Sequence, residues 1–91
     1  MLINLQHDAV EKHITILNLL KKFFSNIKYM NNNNNESEKF DIDKYLELIY
    51  QLKKKTLNLY QDIIAKYPDE KSTYQLYTLF MSEIIVSILY F

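Results

Sequence analysis

FDIDKYLELIYQLKKKTLNLYQDII, running from Phe40 to Ile64, opens with a helix-start signal and continues as an apolar repeat interrupted by Lys53, Lys54 and Lys55. Asp41 suits an N-cap, where a carboxylate accepts hydrogen bonds from the free N–H groups of the first turn, and Phe40 before it can staple onto Tyr45. Ile42, Tyr45, Ile49, Leu52, Thr56, Leu59 and Ile63 then follow 3-4 spacing. Such a stripe is stable in water only when another helix covers it. The pattern therefore predicts a long helix, helix 2, from Ile42 to about Tyr67, ending before Pro68, which disfavours helical geometry in the residue it follows.

The flanking sequence supplies the covering helices. On the N-terminal side Ile3, Val10, Leu17 and Phe24 recur every seven residues, with Ile14, Leu20 and Ile27 widening the stripe, which predicts helix 1 over about residues 2–30. Between the two helices, Asn31 to Asn35 followed by Glu36, Ser37, Glu38 and Lys39 has no apolar anchor, and residues 31–40 read as a flexible linker. After Pro68, Asp69 and Glu70 make a turn, and Ser72 with Gln75 has capping-box spacing. Helix 3, about residues 72–91, carries Tyr77, Met81, Ile84, Ile88 and Phe91. Its extra apolar residues, Leu76, Leu79, Phe80, Ile85, Val86 and Leu89, exceed one stripe, so helix 3 is either wedged into the core or turned towards a partner, including a second copy. The predicted fold is all-α, one domain over 1–91: an elongated three-helix antiparallel bundle of the spectrin or coiled-coil kind.

Composition narrows the function. Eleven basic residues, all lysine, balance eleven acids, and there is no cysteine, glycine or tryptophan. Without net positive charge or arginine forks, nucleic acid is not an expected partner. Without cysteine, disulfides and thiolate metal sites are excluded. No apolar run approaches the roughly 18 residues of a membrane span, and the apolar faces lack the basic rim of a membrane-surface helix, so a cytoplasmic location is expected. The abundance of Asn, Ile, Lys and Tyr matches AT-rich coding.

Candidate chemistry is sparse. His7 and Glu11 stand four apart and could share a metal, but no second ligand pair appears, and a surface histidine beside a helix-stabilising acid explains them. His13 reads as a core-edge residue. Asp41 and Asp43 sit where a helix start favours negative charge. No nucleophile has a base at helical spacing and no glycine builds a phosphate loop, so no enzyme, metal or cofactor is expected.

Phe40-Asp41-Ile42-Asp43-Lys44, then Glu47, Lys53-Lys54 and Leu59-Tyr60-Gln61-Asp62-Ile63, resembles the second helix of the tubulin-folding cofactor A family, and Val10 to Asp62 can be laid along it. The resemblance implies a rod-like three-helix chaperone that binds folding intermediates of β-tubulin, with Glu47, Lys54, Tyr60 and Asp62 as partner-binding residues. Helix 3, with Glu83 its only charge, departs from the charged third helix of that family. The alternative is a non-catalytic scaffold or assembly subunit that docks, or pairs with itself, through helix 3.

Overall fold

The computed structural model describes residues 1–33 and 42–89, with the side chains of 1–28 and 42–87. The Asp41 cap, the Phe40 staple, linker residues 34–40 and the side chains of Ile88 and Phe91 lie outside them. Three helical rods pack in an up-down-up bundle: α1 (Leu2–Asn33), α2 (Ile42–Lys66) and a third rod made of α3 (Lys71–Phe80), a π-helical turn (Met81–Ile85) and α4 (Val86–Leu89). The expected three-helix antiparallel architecture is the one observed. It measures 52 × 19 × 16 Å, set by α1, whose 32 residues reach about 48 Å. No described helix is long and apolar enough to cross a membrane.

Local chemistry accounts for the helix limits. No glycine or proline interrupts α1, and Asp8 accepts a 2.7 Å bond from Lys12 at the favourable acid-then-lysine i,i+4 spacing. The helix runs three residues beyond Met30, the expected end, because extending a formed helix is far easier than starting one. In α2, Asp43 stands in the first turn and Lys66 in the last, each complementing the helix dipole. Pro68 follows within two residues, and the reversal is closed by Glu70 N–H on the Tyr67 carbonyl (3.2 Å) and Tyr74 Oη on the Pro68 carbonyl (3.0 Å).

The capping box expected at Ser72 is absent. The helix begins one residue earlier, with Glu70 in the cap position and no side-chain cap bond. The Ser72 hydroxyl is used between helices instead: the Gln6 amide donates to Ser72 Oγ at 2.8 Å and to Thr73 Oγ1 at 2.9 Å, tying α1 to α3.

In α2 the expected stripe faces inward, with Ile49, Thr56 and Ile63 buried. In α1 it does not. The buried row is Ala9, His13, Ile16, Leu20 and Phe23, each one residue before Val10, Ile14, Leu17, Lys21 and Phe24. The rest of the expected stripe, with Ile3, Ile14 and Phe24 exposed, is turned about 100° from the buried row, one residue's rotation. Ile3 is 77 % exposed and Ile14 52 %.

Helix 3 fills the groove between the other two, burying Thr73, Phe80 and Ile84 completely. A chain of rings forms the centre: His13 meets Phe80 edge-on at 5.3 Å, Phe80 lies 5.6 Å from Tyr60, and Tyr60 meets Tyr77 edge-on at 5.7 Å. The rod expected to be continuous is broken by the π turn, where the hydroxyls of Ser82 and Ser87 donate to the carbonyls of Leu79 and Glu83 and compete with regular helix bonding.

Candidate functional site

Helix 3 runs parallel to α1 in a fixed register. Gln6 meets Thr73 and, seven residues on in each helix, His13 meets Phe80. Continued, that register brings Leu20 level with Ser87, close to the last described residue. Among the described residues, none from the third rod lines the α1–α2 groove at that end. There Leu20, Phe23, Leu46, Ile49 and Tyr50, with Asp43 and Glu47, line a cavity of about 430 Å³.

The floor of this cavity is core: Leu20, Phe23 and Ile49 are buried. Its wall is half open, with Leu46 38 % and Tyr50 54 % exposed. The Lys53 ammonium lies 4.7 Å from the Tyr50 ring centroid, holding the ring by a cation–π contact. Asp43 and Glu47 are four apart on α2 and so share one face, which makes the rim acidic. Glu47 accepts a 2.8 Å bond from Gln51, which orients its carboxylate without neutralising it. An apolar floor with an acidic edge suits an apolar side-chain row accompanied by a cation. A shallower depression of about 490 Å³ at the other end of the rod is lined by Met1, Leu2, Ile3, Asn4 and Tyr67.

The residues singled out from the sequence separate. Glu47 and Lys54, seven apart, share the outer face of α2 and are exposed, and Asp62 is exposed further along the helix. Tyr60 does not belong with them. It is 0 % exposed, packed between Tyr77 and Phe80, and it follows Thr56 and precedes Ile63 in the buried row. A residue so enclosed offers a partner nothing to hold, so Tyr60 is core. Of the residues that form the groove, only Glu47 was marked in the sequence. Leu46 and Tyr50 were not marked, although both are apolar residues just off the α2 stripe.

His7 Nδ1 lies 3.6 Å from Glu11 Oε1 with both side chains largely exposed, and among the described residues no three His, Cys, Asp or Glu side chains gather as a metal site would require. His13 is more deeply placed than expected, 5 % exposed, with Nε2 3.6 Å from Glu83 Oε2 and without a hydrogen-bond partner. The Tyr60 hydroxyl likewise has none. Burial pushes the Tyr60 phenol above its ordinary range.

Comparison with protein-family models, with curated proteins and with solved structures finds no match for this chain.

Proposed function

We propose that the chain is a non-catalytic helical module that binds another protein in the α1–α2 groove. The observation that supports this is the cavity of about 430 Å³ with a floor of Leu20, Phe23 and Ile49 and a rim of Asp43 and Glu47. Its expected occupant is an amphipathic helical segment whose apolar row enters the groove and whose lysine or arginine meets the acidic rim. Buried apolar contact supplies most of the affinity, and the rim charges steer the encounter and weaken with salt. The test compares capture of partners by the wild type and by Leu46→Glu/Tyr50→Glu, both partly exposed positions whose change should leave helix content and melting intact. Loss of capture supports the groove, and equal capture by both proteins sinks it.

A narrower reading makes the partner a folding intermediate of β-tubulin, as the resemblance to tubulin-folding cofactor A implies. What favours it is the pairing of exposed Glu47 and Lys54 on the outer face of α2, within the matched segment. On this reading Lys54→Glu weakens capture of β-tubulin, and more so at low salt. A wild type that retains no β-tubulin at micromolar concentration removes this reading and leaves the wider one standing.

A further inference from the structure

The unburied apolar row of α1 has a second property. Ile3, Val10, Ile14 and Leu17, continued by Lys21 and Lys28, fall on one heptad-spaced row over about 38 Å, in which His7 and Phe24 complete the 3-4 repeat by which two helices supercoil. The third rod widens this face. His13 and Glu83 approach to 3.6 Å, Val10 and Leu17 flank His13 along α1, and Leu79 and Val86 flank Glu83 along the third rod. One contact therefore gathers all four around it, with Ile14 between Val10 and Leu17. Ile14, Leu79 and Val86 are 52, 48 and 43 % exposed and, around the 38 % exposed Glu83 carboxylate, give a largely apolar face on the α1–α3 side of the rod.

From these observations we infer that this face pairs with a second copy of the chain, α1 against α1, antiparallel. Charge selects the occupant and its direction. Beside this face the first half of α1 carries Glu11, 3.6 Å from His7, while Asp8, bound to Lys12, lies on another side of the helix. The second half carries Lys21, Lys22 and Lys28 and no acid. Parallel pairing stacks identical positions and forces Lys21 against Lys21 in the seam. Antiparallel pairing about a two-fold axis between Ile14 and Leu17 sets each Ile14 on the second copy's Leu17. It also lays the Lys21 stem on Val10, its ammonium next to Glu11. The basic half of each α1 then covers the acidic half of the other, and Leu79 and Val86 bury against the incoming helix.

Light scattering and cysteine pairing in the naturally cysteine-free chain test this. The wild type should show twice the 11.0 kDa monomer mass in the micromolar range, falling to one mass in Ile14→Glu/Leu79→Glu with circular dichroism unchanged. An equimolar mixture of Val10→Cys and Lys21→Cys should give a mixed disulfide under mild oxidation, while Val10→Cys alone should not link to itself. A wild type that stays at 11.0 kDa overturns the inference, as does a dimer that survives Ile14→Glu/Leu79→Glu or is lost in Leu46→Glu/Tyr50→Glu. Self-linking of Val10→Cys in place of the mixed product overturns the antiparallel arrangement.

Discussion

Tyr60 places a large ring at the centre of the bundle and leaves its hydroxyl without a partner. A buried donor left unpaired costs about 1–3 kcal/mol, so Tyr60→Phe, which keeps the ring and removes the hydroxyl, should stabilise the fold by about that amount in denaturant melting. A loss of stability would show that the hydroxyl is satisfied. The same residue predicts a pH response. Burial raises its folded-state pKa above the ordinary tyrosine value of 10.0. The unfolded chain therefore releases this proton first as the solution becomes alkaline. Tyr60's contribution is complete below 10.0 and is lost as pH rises through the raised folded value. Wild-type stability should fall more steeply above that pH than that of Tyr60→Phe. Core membership was legible in the sequence, since Thr56, Tyr60 and Ile63 keep 4-3 spacing, but the resemblance to tubulin-folding cofactor A placed Tyr60 among the partner-binding residues.

At the level of elements, α1 presents two adjacent apolar rows. Mutations distinguish them. Ile16→Ala, in the buried row, should cost about 2–5 kcal/mol. Ile14→Ala, half exposed, should stay within about 0.5 kcal/mol when melting is measured dilute enough to keep the chain monomeric. Equal losses would mean that the row assignment is wrong. In α2 the row Ile42, Tyr45, Ile49, Leu52, Thr56, Leu59 and Ile63 runs the length of the helix, so its inward side was readable, although Leu46, Leu48 and Tyr50 are also apolar and exposed. In α1 the buried row contains Ala9 and His13, which score poorly as core residues, and the neighbouring row of Ile3, Val10, Ile14 and Leu17 looks stronger. The π turn had no comparable signal, because Ser82 and Ser87 are compatible with an ordinary helix.

The whole molecule is a rod. Its radius of gyration is 15.7 Å, against the roughly 12 Å expected of a compact chain of this length. Paired antiparallel along α1, two rods overlap nearly end to end, so a dimer grows wider rather than longer. Small-angle scattering should show a dimer whose longest dimension stays close to the 52 Å of one rod. A doubling of that length would indicate end-to-end association and contradict pairing through α1. The groove belongs to this scale as well. Leu20 and Phe23 come from α1, and Leu46 and Tyr50 from the far end of α2. These residues, far apart in sequence, meet only because α1 and α2 fold back on each other.

Local rules were enough for part of this molecule. Uninterrupted 3-4 spacing, the absence of glycine and the lone Pro68 determine three helices, their approximate limits and the buried side of α2, since helix formation depends on neighbours three and four residues away. The facing of α1, the burial of Tyr60, the use of Ser72 by Gln6 and the groove were decided only when the helices packed. Two apolar rows one residue apart gain similar free energy from leaving water, and the choice between them falls to fit against α2 and α3. Side-chain shape and volume across the helix contacts set that fit, and spacing along a single helix does not encode it.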